Sequence, residues 1–299
     1  MRIRKAEIAQ DRFKIPKKRR PPKFEAVCYR YMEHAKKSKR SWKRDEETLK
    51  LAKTFFKRKR IDEISSWDVE RFKASRVKRV SKSTVNRELA ILKRLFNLAI
   101  DWNLVAKNPV KKVAMYRIEE KVMRVLSQEE EQRLIYAAAP HFKPLIIVAI
   151  NTGMRRGELL DLQWEQLDLQ SSTITIKQSK NGKVRHIPIN KKAQEALESI
   201  PEPHEGHVFL YRGLPTKAVK TAFAGAVRRA GIQCCRFHDL RHTFATRLVL
   251  AGVDLATVMQ LMGHASISTT MKYAHPSPPH KREAVERLVP GTKIALQIL

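Results

Sequence analysis

Six residues of this chain have side chains suited to surrounding and attacking a single phosphate: Arg155, Lys180, His238, Arg241, His264 and Tyr273. They fall in Thr152-Gly153-Met154-Arg155, Lys180-Asn181-Gly182-Lys183, His238-Asp239-Leu240-Arg241-His242 and Leu261-Met262-Gly263-His264, with Tyr273 following. Guanidinium groups are permanently charged planar forks that match phosphate oxygens. A tyrosine hydroxyl can displace one ester oxygen and hold the phosphate covalently, so this set suits phosphoryl transfer through a tyrosine nucleophile with no metal and no other cofactor.

Spacing supports some of these assignments more than others. His238 and Arg241 lie three apart at the start of a predicted helix and share one face, so both can reach one ligand, while Leu240, Phe244 and Leu248 form an adjoining apolar stripe that anchors the helix. Taken singly, a histidine or arginine there is more often a cap or a surface charge. Arg155 follows the end of an apolar helix at Gly153, where the backbone turns and a side chain can enter a cleft, and Glu158 is spaced to orient its guanidinium. Lys180 sits at a predicted hairpin tip, ordinarily a solvated position but one from which a mobile lysine can protonate a leaving oxygen. Gly263 ends a helix and sets His264 at its C-terminal edge. Tyr273, with an unperturbed pKa near ~10, needs cations or a base beside it to become a nucleophile. His238 and His242 have the i,i+4 spacing of a zinc-protease helix, but Asp239 stands where that motif carries glutamate and no further ligand is evident.

The elements that must position these residues divide into two sets. Residues 1–23, with ten basic and two acidic side chains, read as a flexible basic arm. Residues 24–107 lack glycine and carry apolar residues three and four apart, which predicts four short helices marked by Phe24, Val27 and Tyr31, by Leu49, Ala52 and Phe56, by Val69 and Phe72, and by the stripe Leu89, Leu92, Leu95, Phe96, Ala99 and Trp102. Ser81 and Ser83 are candidate caps for the fourth. Asn108-Pro109 ends that domain, and 108–122 has no periodicity, so it reads as a linker. Ser127 and Glu130 form a capping-box signature early in the second domain, 123–290, and 291–299 is left as a tail. There, 144–150 reads as a buried helix, 173–176 and 184–189 as strands flanking Asn181-Gly182, and helices are expected near 191–200, 216–230, 238–251, 254–262 and 266–274. The fold class is mainly α with a small antiparallel β-sheet, in two domains.

Charge narrows the partner. The net charge is +31, and residues 1–107 hold 33 of the 61 Lys and Arg but only 13 of the 30 Asp and Glu, too few acids for simple i,i+4 pairing across helix surfaces. Such an excess points to a polyanion, with nucleic acid first. Three cysteines, two of them adjacent, exclude a disulfide framework, and no apolar run is long enough for a membrane span or a signal peptide, so a cytoplasmic protein is expected.

Together, the Thr152–Leu159 segment, the lysine hairpin, the His238–Thr246 segment, and Leu261-Met262-Gly263-His264 leading to Tyr273 resemble the tyrosine recombinase, or phage integrase, family over roughly residues 25–290. Every catalytic position matches. The resemblance implies a helical SAM-like core-binding domain and an α+β catalytic domain closing around double-stranded DNA. It implies that Tyr273 attacks the scissile phosphate to give a 3′-phosphotyrosine, that Arg155 and Arg241 hold the non-bridging oxygens, and that Lys180 protonates the departing 5′ oxygen. His238 would act as acid or base toward the tyrosine, and His264 would donate to a phosphate oxygen. It further implies a tetramer on DNA, with residues 282–288 a candidate helix for docking on a neighbouring subunit or on their own domain, and it admits an accessory directionality factor. Integration or excision of a mobile element is the expected task. Xer-like resolution of chromosome dimers, a type IB topoisomerase and a non-catalytic DNA-binding protein are the alternatives.

Overall fold

A computed structural model of the protein describes residues 20–119, 123–176 and 184–274. The chain divides into two compact units, Met1–Glu120 and Lys121–Leu299.

The first unit is built from α1 (Phe24–Ser38), α2 (Trp42–Phe55), α3 (Ser66–Val77) and α4 (Lys82–Asp101). Its core is nearly the set that helical spacing marks: Phe24, Val27, Tyr31, Leu49, Ala52, Phe56, Val69, Phe72, Leu89, Leu92, Leu95, Phe96 and Ala99 are buried, while Trp102, at the end of α4, is only partly so. Of the two candidate caps it is Ser81 whose hydroxyl accepts the Thr84 amide, so α4 begins about two turns before its apolar stripe. Arg76 of α3 donates two bonds, 2.8 and 2.7 Å, to the buried Glu88 carboxylate of α4, a bidentate pair that fixes one helix on the other.

The linker expected at 108–122 is replaced over much of its length by a packed segment. Pro109–Lys112 forms a 3-10 turn capped by Asn108, and Val110 and Val113 are buried in the helical core. Asn86 exchanges bonds with the backbone of Tyr116 at 2.8 and 2.9 Å. Two valines three apart are too short a run to show periodicity, yet they suffice to close the open end of a small bundle.

The second unit opens at α5 (Gln128–Ala137), where Ser127 and Glu130 form the capping box. The apolar helix α6 (Lys143–Thr152) packs against α8 (Lys191–Glu198) and α10 (Phe237–Leu250). Between them run the single turn α7 (Arg156–Leu160) and a three-stranded antiparallel sheet in the order β1 (Leu167–Asp168), β2 (Thr173–Ile176), β3 (Arg185–Pro188). In the β2–β3 register Ile174 faces Ile187 and Ile176 faces Arg185. A second small hairpin, β4 (Leu210–Tyr211) with β5 (Leu214–Pro215), precedes α9 (Lys220–Arg229). The chain continues through α11 (Leu255–Met262) and the short α12 (Ile267–Thr270) into the 3-10 turn Met271–Tyr273. Strand β1 and the β4–β5 hairpin were not legible in the sequence, because two-residue strands are too short to show alternation. No described helix is long and apolar enough to cross a membrane.

Candidate active site

Two helices end on the same feature, and that feature holds both arginines. Helix α6 stops at Gly153, whose φ of 59° is left-handed, and α11 stops at Gly263, with φ of 61°. The last carbonyls of a helix have no partner within it, and the negative end of the helix dipole favours a cation there. Arg241 takes up one such group from each helix: Nη1 donates to the Gly153 carbonyl and Nη2 to that of Met262, both at 2.5 Å. Arg155 donates through Nη2 to the Gly263 carbonyl. A Cβ on Gly153 would overlap the Phe244 ring, and one on Gly263 would overlap the Arg185 guanidinium, so each position needs glycine for space as well as for backbone angle. Gly263→Ala is therefore expected to cost at least about 1–2 kcal/mol from the left-handed backbone alone. A urea or thermal melt reads it, and an unchanged midpoint would contradict this packing.

Glu158 organises the other side of the pocket. Its carboxylate accepts from the Arg155 backbone amide at 2.9 Å and guanidinium at 2.7 Å, and from Arg185 Nη2 at 2.8 Å. Burial alone would raise its pKa, but these bonds and the two cations hold it below the usual carboxylate range. Arg185 reaches the pocket from β3, where it is buried on the same face as Ile187. Its Nε and Nη1 have no partner among the described residues. Arg241 is brought down to about 10 by burial first and by Arg155 and Arg185 next, which leaves it charged at neutral pH. Two guanidiniums thus share one carboxylate beside a third held by backbone carbonyls, in a poorly solvated pocket, and an entering phosphate would offset the excess charge.

Helix α10 carries the remaining groups. The buried Asp239 accepts the Arg236 amide at 2.8 Å in its first turn, and Thr243 bonds the Asp239 carbonyl and the Leu126 amide, tying the entry to the domain onto this helix. Leu240 is buried in the main core, whereas Phe244 and Leu248 pack on a separate small cluster of Ala245, Val258, Met262 and Tyr273. Tyr273 is thereby buried beside α10. Its ring is parallel to that of His264, centroids 6.4 Å apart, and His264 Nδ1 lies 2.9 Å from Thr270 Oγ1. The Tyr273 hydroxyl meets Nδ1 of His242 at 2.8 Å, and His238 touches His242 edge-on, centroids 4.6 Å apart. Burial raises the phenol above its ordinary pKa, with Arg241 opposing, so the cations do not ionise it by themselves.

Both His242 and His264 are pushed down to about 4. Burial is the largest cause in each, followed by His238 for the first and by Arg241 and Arg155 for the second. Burial and then Arg241 lower His238 too. A histidine depressed in the folded state contributes stability that is complete above its unfolded pKa and is lost as protons bind. The second unit is therefore expected to lose stability as pH falls from 6.5 toward about 4. Urea midpoints of the protein and of a His242→Asn/His264→Asn variant measured across that range check this: the variant's midpoint should fall less steeply.

Five of the six residues singled out in the sequence, Arg155, His238, Arg241, His264 and Tyr273, lie in this one region; Lys180 and the turn around it lie outside the described residues, as do 1–19 and 282–288. Two further residues of the pocket were not singled out. Arg185 was legible by strand alternation, which places it inward with Ile187, and His242 by its position one turn after His238. Among the described residues no group of three or more His, Cys, Asp and Glu could hold a metal ion.

A mainly α domain thus holds a cationic pocket with a buried phenol nearby. Residues 124–280 match the phage integrase family. The chain is 31% identical over 228 residues to the shufflon-specific DNA recombinase of Escherichia coli, a match covering 72% of this chain and 59% of that protein. It is 31% identical over 240 residues to tyrosine recombinase XerC of Lactobacillus delbrueckii subsp. bulgaricus, covering 73% of this chain and 81% of the relative. The Tn1549 transposon integrase, solved in complex with circular intermediate DNA, superposes with a TM-score of 0.75 at 23% identity over 88% of this chain and 98% of that one, a likeness of fold. This chain belongs to the phage integrase family. It spans less than two thirds of the length of the shufflon recombinase.

Proposed function

We propose that the protein is a site-specific DNA recombinase that cleaves and rejoins duplex DNA through a 3′-phosphotyrosine, serving integration or excision of a mobile element. The observation that carries this reading is the presence in one pocket of one chain of a buried tyrosine hydroxyl and the helix-end pair Arg155 and Arg241. In this reading Tyr273 attacks the scissile phosphate, while Arg155 and Arg241 stabilise the charge that builds on the non-bridging oxygens. His264 donates to a phosphate oxygen, His238 serves acid–base chemistry at the reacting oxygens, and Lys180 protonates the departing 5′ oxygen. The ester energy is kept in the protein–DNA bond and returned when another 5′ hydroxyl attacks, so neither ATP nor metal enters the scheme.

The partners proposed are double-stranded DNA in the cytoplasm and further copies of the chain, assembled as a tetramer on two sites, with an accessory factor setting direction. The test is recovery and sequencing of the DNA linked to the protein in its native host: junctions of a mobile element support the reading. The XerC relative, most of whose length this chain covers, makes chromosome-dimer resolution the second reading, and recovery of one chromosomal site would favour it. Relaxation of plasmids at no particular sequence would point to a topoisomerase instead.

The basic N-terminal stretch supplies a separate expectation. Neutralising the ten Lys and Arg of residues 1–23 should weaken DNA binding and flatten its salt dependence, by about 0.9 in the slope of log K against log salt for each phosphate that is no longer neutralised. A salt titration of binding checks it, and an unchanged slope would remove this stretch from the interface.

A further inference from the structure

The residue that meets the candidate nucleophile is not among the six. His242 follows Arg241 on α10, and its Nδ1 is 2.8 Å from the Tyr273 hydroxyl with the two ring centroids 5.8 Å apart. His264 lies parallel to the tyrosine with its own Nδ1 at Thr270, and His238 reaches only the ring of His242. Among the described residues, His242 is thus the one basic nitrogen within reach of the phenolic proton.

We propose that His242 is a catalytic residue of this site, the base that takes the proton of Tyr273 as its oxygen attacks phosphorus; this rests on the reading of Tyr273 as nucleophile. As the Oη–P bond forms, the Oη–H bond breaks and its proton passes to Nδ1. The P–O5′ bond breaks, and the departing oxygen takes a proton from a separate acid. In the reverse step a 5′ hydroxyl attacks the phosphotyrosine and gives its proton to the conjugate base of that acid, while the P–Oη bond breaks and the imidazolium returns its proton to the phenolic oxygen.

The surroundings make this transfer depend on substrate. Burial holds the phenol protonated, and burial with nearby His238, Arg241 and Arg236 keeps the imidazole neutral, so its lone pair is available but its charged form is disfavoured. The phosphate that Arg155 and Arg241 would hold offsets that positive field, which favours the imidazolium when DNA is in place.

The experiment uses the full chain and a nicked duplex selected by the wild-type protein from a pool of randomised sequence, made with either oxygen or sulfur at the bridging 5′ position. Sulfur is a better leaving group and removes the need for the acid, while the need for a base at the tyrosine remains. His242→Phe removes the acceptor; His242→Asn keeps an acceptor oxygen near the place of Nδ1 but takes up no proton. Both are expected to slow single-turnover attachment by about 10²–10⁴-fold with either duplex, whereas a Lys180→Ala defect should be restored by sulfur. Attachment by both variants within a few-fold of wild type overturns the proposal. So does rescue of either by sulfur, which would move the histidine to the leaving group. An active His242→Asn beside an inactive His242→Phe also overturns it, since hydrogen bonding alone would then suffice. Where His242→Phe fails to bind the duplex, the Asn variant decides. If the wild type forms no covalent complex at all, it is the recombinase reading that fails.

Discussion

Tyr273→Phe is expected to bind duplex DNA as the parent does and to form no covalent complex with it. The substitution removes one oxygen from a buried ring that keeps its packing on Ala245, Val258 and Met262 and its parallel contact with His264. The hydrogen bond removed is the one to His242, which costs about 1 kcal/mol of stability, small beside that of a folded domain. A folded, DNA-binding protein should thus remain, with no nucleophile. Denaturing gels of protein incubated with a nicked duplex separate linked from free chains, and a shifted band with the phenylalanine variant would show that another residue attacks.

Arg241→Ala should also produce a large loss although it keeps the phenol. One donor to developing charge on a reacting oxygen accounts for about 10²–10³ in rate, and Arg241 is buried, charged and held by two helix ends, so its reorganisation during the reaction is small. Single-turnover attachment is expected to fall by at least that factor. Lysine should not restore it: a point charge on a flexible stem cannot donate to the Gly153 and Met262 carbonyls and present a planar face to phosphate together. Salt-matched binding measurements distinguish lost chemistry from lost affinity. A rate within tenfold of wild type would place the arginine outside the reacting site.

The charge of this pocket also bears on stability. Arg155 and Arg185 share a single carboxylate, Glu158, while Arg241 is held by backbone carbonyls, and the burial of Arg185 leaves two of its nitrogens without partners among the described residues. Pockets that are electrostatically incomplete in the free protein are a common cost of function. The glycines at 153 and 263 belong to the same arrangement, because they turn two helix ends toward the arginines and leave room for Phe244 and Arg185.

Much of this was legible in the chain as written. Helical spacing from Leu89 to Ala99 predicts the buried stripe of α4, Ser127 with Glu130 predicts the start of α5, and alternation predicts strands at 173–176 and 184–189, of which the second is found as Arg185–Pro188. These are local signals, set by the periods of helix and strand and by the unpaired groups at helix ends. The segments that carry Arg155, Lys180, His238, Arg241, His264 and Tyr273, in that order, likewise gave a family resemblance that the comparisons bear out. Only the folded chain decided that Val110 and Val113 close the helical core and that Arg185 joins Arg155 on Glu158. It also decided that His242, one residue beyond Arg241, is the neighbour of the phenol. Each of those facts joins residues far apart in sequence or depends on which face of a helix meets which loop. Periodicity assigns a side chain to a face, but the partner across that face is chosen by packing.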